Sequence, residues 1–197
     1  MEDKKDVIVD YIKYIKKNKS LIPDLESSRI YNYYNRSVEM YTILNKIISK
    51  IEEIYQTSFE NFIKDKTLIV VGDGAICTIT YLLNTIYNIN NFYTIDPLIN
   101  TKIASFLKKK NIKVFCNRFN EVVQYNTFEK QDVIIFNIHS HCDLNDLFWK
   151  SYKSLYIFNK NCCGLKSSLD TDFKSYNLQL PFKDDFRHLE IYTRNIK

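Results

Sequence analysis

Two glycines and one acid are the residues of this chain whose types and spacing could do chemistry. Gly72 and Gly74 follow the apolar run 68–71, and Asp96 follows the next apolar run, 24 residues after Gly72. Glycines at a strand-to-helix turn let the backbone bend sharply beside a helix N-terminus, where an anion or nucleotide can bind. An acid at the end of the next strand could accept hydrogen bonds from ribose hydroxyls. Together the three residues are similar to a dinucleotide or S-adenosylmethionine pocket.

This pattern departs from the usual cofactor motif at two positions. Cys77 stands where a third glycine is usual, and Val70 stands where methyltransferases usually carry an acid. Two interpretations therefore stay open: a working pocket, or glycines that serve only the tight connection between strand and helix. The sequence predicts no catalytic residue and no bound cofactor.

A histidine and cysteine cluster follows the fourth apolar run. His139, His141 and Cys142 could ligate a metal, with Cys162 and Cys163 placed after the next run. Zinc ligands usually occur at more regular spacing, and adjacent cysteines cannot easily aim at one ion. Free cysteine is also among the most buried residue types. The sequence therefore predicts neither a metal site nor a cysteine nucleophile.

Short apolar runs alternate with segments long enough for crossover helices from residue 67 onward. Continuous apolar strands separated by helices are typical of a parallel sheet that is covered on both faces. The predicted strands are 68–71, 92–95, 112–115, 133–136, 155–158 and 186–192, and the predicted crossover helices include 76–90 and 99–110.

The first third of the chain has a different pattern. Apolar residues at helical spacing predict helices over 3–18 and 37–56. We therefore predict an α/β fold, in which a Rossmann-like, mostly parallel sheet with flanking helices spans 67–197. An N-terminal helical extension spans 1–66.

Composition excludes several classes of protein. The chain has 197 residues, of which 45% are hydrophobic, with 15 Tyr and 13 Phe, so we expect a packed core rather than disorder. The sequence has no apolar run of 18 residues and no signal-peptide core after its charged start. Five cysteines without a C-x-x-C pair argue against a disulfide framework. We expect a cytoplasmic protein that binds no membrane.

The net charge of +5 indicates a possible polyanionic partner. The candidate RNA-binding residues are Lys13, Lys16, Lys17 and Lys19 in the first predicted helix, and Lys108, Lys109, Lys110, Lys113 and Arg118 later in the chain. A chain rich in Ile, Lys and Asn also indicates AT-rich codon usage, and lysines at helix ends are common solvated residues. Both explanations stay open for each cluster.

Several short motifs occur in a fixed order along residues 67–190. They are Val71-Gly72-Asp73-Gly74, Tyr93-Thr94-Ile95-Asp96-Pro97, His141-Cys142, Leu144-Asn145-Asp146-Leu147-Phe148-Trp149 and Phe158-Asn159-Lys160-Asn161. This order resembles the sensitivity-to-red-light-reduced (SRR-like) domain family, although Ser140 stands where that family has Pro. The resemblance implies the Rossmann-like fold and a regulatory role rather than a defined reaction.

The composition further resembles a compact microsporidian type within this family, a dormancy factor that occupies idle ribosomes. The resemblance implies a non-enzymatic, ribosome-associated regulatory protein that acts in hibernation. It would bind rRNA and ribosomal proteins near the tRNA exit region of the small subunit, as a monomer. The alternative that Gly72, Gly74 and Asp96 leave open is an S-adenosylmethionine-dependent methyltransferase acting on RNA or protein. A third interpretation is a scaffold that presents a partner surface.

Overall fold

The structure of the protein is a computed structural model in which one mixed sheet lies between helices. It describes residues 27–125, 128, 130–138, 152–160, 174–179 and 188–195, with positions 6, 7, 9, 10, 13 and 16. Those six positions are helical, as predicted for 3–18. Within these ranges no helix combines the length and hydropathy needed to span a bilayer.

Seven strands form one sheet in the described part of the chain. They are β1 Thr67–Val71, β2 Phe92–Ile95, β3 Lys113–Phe115, β4 Asp132–Ile138, β5 Ser154–Lys160, β6 Lys174–Gln179 and β7 His188–Asn195. Their order across the sheet is β3-β2-β1-β4-β5-β7-β6. The first five strands pair in parallel, whereas β7 runs antiparallel to both β5 and β6. The predicted Rossmann-like, mostly parallel α/β fold is confirmed.

The apolar runs located the strands well, with one omission. Each of the five internal runs forms a strand whose ends lie within two residues of the prediction. Strand β6 was not predicted, because its sequence contains no apolar run. It lies at the edge of the sheet and pairs only with β7, and its first residues, Lys174 and Ser175, are exposed.

Besides the helical positions between 6 and 16, the described ranges contain five helices that flank the sheet. They are α1 Ser27–Tyr55, α2 Phe59–Ile63, α3 Thr78–Ile86, α4 Thr101–Lys108 and α5 Phe119–Tyr125. The helix predicted over 37–56 is α1, which begins ten residues earlier than its apolar pattern indicated. Two side-chain caps start the shorter helices: Ser58 accepts a hydrogen bond from Asn61 N, and Asn100 accepts one from Lys102 N.

Alternate residues of the central strands divide the core into two layers. Leu68 and Val70 of β1 face one layer, which α1, α2, α3 and α4 cover. Ile69 and Val71 face the other layer, to which Phe119 and Val122 of α5 contribute. All five residues of β1 are buried, as expected for a central parallel strand.

Helix α1 shares the first core layer with the sheet. Ile43, Ile47 and Ile51 are fully buried and recur every four residues, so one face of the helix packs against the sheet. The domain boundary predicted at residue 66 stays a prediction, but the helical segment before it contributes to the same core.

The burial of α1 predicts how the chain unfolds. Ile47→Ala should lower the free energy of unfolding by about 2–5 kcal/mol, because the truncation leaves a cavity in the shared core layer. Urea denaturation followed by circular dichroism measures this change. The neighbouring exposed residue supplies the control, since Lys46→Ala should change stability by no more than about 0.5 kcal/mol. Equal denaturation midpoints for the two variants would show that α1 does not stabilise the sheet.

Candidate functional site

The carboxyl ends of β1, β2 and β4 meet where the strand order reverses. The chain leaves β1 toward β2 and β3 on one side and later returns to β4 on the other side. In open α/β sheets such a switch point forms a crevice outside the strand ends, and ligands bind there. The described residues at this edge are the turn 72–77 after β1, Asp96 after β2 and Asn137 near the end of β4.

The turn after β1 contains three residues with left-handed backbone. Gly72 and Gly74 both have a φ of 72°, and Cys77, directly before α3, has a φ of 48°. Glycine adopts this conformation freely, whereas an L side chain there costs about 1–2 kcal/mol. Cys77, which stands where a third glycine is usual, therefore has the left-handed backbone conformation of a glycine.

Gly74 lies beside open space. A Cβ placed on this glycine would meet no atom of the protein within 4 Å. The side of Gly74 that a side chain would occupy is consequently available to a ligand, which can approach the backbone closely. Gly74 thus meets two requirements of a binding turn: its backbone is left-handed, and a ligand can reach it from the open side.

Asp96 connects the end of β2 to this turn. Its Oδ2 accepts a hydrogen bond from Gly74 N at 2.8 Å, and its Oδ1 accepts one from Leu98 N at 2.7 Å. Gly72 N in turn donates to the carbonyl of Ile95 at 3.1 Å. The structure therefore brings together Gly72, Gly74 and Asp96, the three residues predicted as a pocket. Because a carboxylate offers about four acceptor positions, Asp96 retains capacity for a ligand hydroxyl.

Asp73, between the two glycines, is a residue that the sequence reasoning missed. Its Oδ1 accepts a hydrogen bond from Ile79 N at 2.9 Å, and its Oδ2 accepts one from Thr80 N at 2.8 Å. The carboxylate therefore caps the first turn of α3, a role that Cys77 at the N-cap position does not perform. A capping residue usually stands directly before the helix, so the ordinary sequence signal for a cap does not indicate Asp73.

The environment of Asp73 changes its protonation. The residue as a whole is half-buried, but the turn surrounds its carboxylate. Desolvation, with a smaller contribution from the nearby charge of Asp96, raises the pKa of Asp73 from 3.8 to about 7. The hydrogen bonds from Thr80 and Ile79 oppose the shift. Asp73 therefore titrates near neutral pH inside the turn.

Cys77 is a buried structural residue. Its side chain is fully buried, and desolvation raises the pKa of its thiol. A thiol is nucleophilic only as the thiolate, so Cys77 is not a nucleophile at neutral pH.

A pair of asparagines lies at the same edge of the sheet. Asn137 and Asn159 face each other on β4 and β5, and Asn137 Nδ2 donates to Asn159 Oδ1 at 2.8 Å. Both are buried, and Asn137 Oδ1 accepts no hydrogen bond from any described residue. Unsatisfied buried acceptors cost about 1–3 kcal/mol and are rare, so this edge carries a polar group available to a donor. In the sequence, each of these asparagines interrupts an otherwise apolar strand, which could have indicated the pair.

The predicted basic clusters are placed only in part. Lys108, Lys109, Lys110, Lys113 and Arg118 are all exposed around the end of α4 and strand β3. Lys13 and Lys16 are exposed, and Lys13 forms an ion pair with Asp10 at 3.1 Å. Lys17 and Lys19 lie outside the described residues.

The histidine and cysteine cluster is also outside the described residues. This applies to His139, His141, Cys142, Cys162 and Cys163. Within the described ranges, no group of three metal-ligating side chains comes together.

Comparison with known proteins gives matches among solved structures. No protein-family model and no curated protein sequence matches the chain. The plantazolicin methyltransferase BpumL, in complex with a monoazolic desmethylPZN analog and SAH, superimposes with a TM-score of 0.50. It is 13% identical, and the match covers 99% of this chain and 98% of that chain. This likeness agrees with the Rossmann-like fold described above.

Two further structures are similar at lower scores. A mutant of MtNAS in complex with S-adenosylmethionine has a TM-score of 0.46 and 12% identity, over 98% of this chain and 73% of that chain. A putative methyltransferase from Streptococcus mutans in complex with SAH has a TM-score of 0.42 and 12% identity, over 68% and 94% of the two chains.

The fold corrects the function that was predicted first. The prediction of a non-enzymatic, ribosome-associated dormancy factor is wrong, because a solved structure that shares the fold over nearly the whole of both chains is a methyltransferase in complex with SAH. The resemblance that led to this prediction rested on short motifs and composition, neither of which reports how strands are connected. The SRR-like resemblance itself is tested by none of these structures and stays a prediction.

The raised pKa of Asp73 predicts a pH dependence of stability. Because the folded-state pKa of about 7 lies above the ordinary 3.8, the folded protein binds more protons than the unfolded chain between these two values. The contribution of Asp73 to stability should therefore be full below about pH 4 and fall as the pH rises to about 7. Urea denaturation across this range measures the decline.

Two variants separate this effect from other titrations. Asp73→Asn should flatten the decline, whereas Asp65→Asn, at an exposed aspartate, should leave it in place. Carbon-13 NMR of the Asp73 carboxyl group should give a midpoint near the same pH of about 7. A midpoint at the ordinary value for aspartate would contradict the burial of this carboxylate.

Proposed function

We propose that the protein is an S-adenosylmethionine-dependent methyltransferase. The observation that carries the proposal is the open side of Gly74, held by Asp96 at the switch point of the sheet. The fold supports it, because a methyltransferase with SAH bound shares that fold over nearly the whole of both chains.

The described residues at the crevice fit the parts of this cofactor. The left-handed turn at Gly72 and Gly74 leaves the backbone accessible beside open space. The carboxylate of Asp96 uses one acceptor position of each oxygen and can accept a ribose hydroxyl with another. Next to it, Leu98 is 70% exposed and offers an apolar surface to a purine ring.

The residues of the chain bind and orient rather than react. When bound, the cofactor supplies an activated methyl group on a sulfonium, and the lone pair of an acceptor atom displaces the neutral thioether. Such a transfer depends on holding the two reacting atoms in line and close together. The turn 72–77 and Asp96 would hold the cofactor in place for this alignment.

Calorimetry with S-adenosylmethionine and with SAH tests the proposal. The full chain should bind both, and Gly74→Ala should weaken binding by at least about tenfold, because the new methyl group fills the space a ligand needs. The substitution meets no atom of the protein, so its structural cost is the left-handed backbone alone, about 1 kcal/mol.

A matched variant controls for that backbone cost. Asn111 has a φ of 61° at the end of α4, so Asn111→Ala places alanine in the same left-handed conformation away from the crevice. It should destabilise the fold similarly and leave cofactor affinity unchanged. If the unmodified chain binds neither compound at millimolar concentration, the proposal is wrong.

A further inference from the structure

The positive charge of the protein is concentrated in one segment. Residues 101–118 contain six Lys and Arg and no Asp or Glu, so the rest of the chain holds 22 basic residues against 23 acidic ones. All six are exposed, and we call them the basic strip: Lys102, Lys108, Lys109, Lys110, Lys113 and Arg118. The entire net charge of +5 is thus accounted for by the basic strip.

The basic strip surrounds one edge of the sheet. Helix α4 covers the first core layer, and β3 is the outermost strand on that side. Lys113 of β3 lies over the ring of Tyr93, which packs in the opposite core layer. The cations therefore lie on both sides of the β3 edge rather than on one flat face.

The cations of the basic strip have no acidic partners in the described ranges. Elsewhere in those ranges lysines pair with acids, as Lys50 does with Glu53 at 2.5 Å and Lys153 with Asp132 at 3.0 Å. No described Asp or Glu forms an ion pair with any member of the basic strip. Lys113 Nζ donates to Tyr93 OH at 2.7 Å, and the cations without a described acidic partner can contact the phosphates of a polyanion.

Simpler explanations account for only part of the basic strip. AT-rich codon usage adds lysines along the whole chain but does not remove acids from one segment. The helix dipole favours Lys108 in the last turn of α4 and disfavours Lys102 in its first turn, by about 0.3–1 kcal/mol. A lysine on an edge strand protects against aggregation, which explains Lys113 alone.

The basic strip reaches the candidate site. Lys102 lies four residues after Leu98, and Asn100 N, at the cap of α4, donates to the carbonyl of Ala75 in the turn at 3.2 Å. At the other side, Asp96 N donates to the carbonyl of Phe115, three residues before Arg118. Both Lys102 and Arg118 therefore lie on the edge of the sheet that carries the crevice.

Aromatic rings are interleaved with these cations. The rings of Tyr93 and Phe115 stack at 6.3 Å, and Lys110 lies over the ring of Phe106 at 5.4 Å. All three rings are partly exposed. Partly exposed rings among cations are typical of surfaces that bind single-stranded nucleic acid, whose bases stack while its phosphates pair with the cations.

We propose that the basic strip binds a single strand of nucleic acid and directs it to the crevice, so that the methyl acceptor is a nucleotide. The part of this inference that concerns methyl transfer rests on the proposed function. Binding of the strand to the basic strip requires no cofactor. A flat acidic membrane fits less well, because the cations lie on both sides of an edge.

Fluorescence anisotropy with the full chain tests the inference. The probes are labelled single strands of RNA and of DNA, about 20 nucleotides long, titrated between about 50 and 200 mM salt. Six phosphate contacts would give a logarithmic salt slope of up to about −4. The strip variant Lys108→Glu/Lys109→Glu/Lys110→Glu, at the end of α4 that is remote from the crevice, should bind at least about tenfold more weakly and reduce the slope by about 2.

The control variant carries the same change of net charge at other exposed lysines. Lys46→Glu/Lys64→Glu/Lys174→Glu should bind the strands within about threefold of the unmodified chain. Equal losses in the two variants would overturn the inference, since they would show an effect of net charge only. Equally tight binding of poly-glutamate would overturn it in favour of an acidic protein surface, and so would the absence of strand binding at low salt.

Cofactor calorimetry on the strip variant separates this inference from the proposed function. The variant should bind S-adenosylmethionine as the unmodified chain does, because none of its changes contacts the turn 72–77. A chain that binds the cofactor and no strand would overturn the nucleic-acid inference alone. A chain that binds strands and no cofactor would overturn the proposed function and leave the basic strip as a binding surface.

Discussion

The carboxylate of Asp96 joins the turn after β1 to the connection between β2 and α4. One oxygen holds the turn after β1 through Gly74 N, and the other holds the start of the connection to α4 through Leu98 N. Backbone donors that meet a buried carboxylate make charge-assisted hydrogen bonds, which are about twice as strong as neutral ones. Asp96 therefore fixes the middle of a turn whose two sides are held by the contacts of Gly72, Ala75 and Asp73.

The same connection relates the crevice to the basic strip. The segment that Asp96 fixes continues into α4, whose cap residue Asn100 contacts the turn through Ala75. Lys102 follows two residues later, so the first cation of the strip is positioned by the contacts that shape the crevice. Binding of a strand and binding of a cofactor would therefore act on one connected part of the backbone.

The parts of the site that follow from local pattern were predictable from the sequence. Gly72, Gly74 and Asp96 stand at strand ends, and strand ends were located by apolar runs. The capping role of Asp73 was not predicted, because it depends on the chain turning back to Ile79 and Thr80 through a left-handed Cys77. The asparagine pair depends on which strands become neighbours, and β6 depends on an antiparallel partner rather than on its own hydrophobicity.

The cap formed by Asp73 also restricts which nucleotides suit the crevice. In dinucleotide-binding folds a pyrophosphate takes the free N–H groups at the N-terminus of the helix after the first strand. Here the carboxyl group of Asp73 already accepts hydrogen bonds from Ile79 N and Thr80 N, so these two donors are not available to a phosphate. The protein thus places a side-chain acceptor of its own where a dinucleotide would place its pyrophosphate, which disfavours a dinucleotide at this turn.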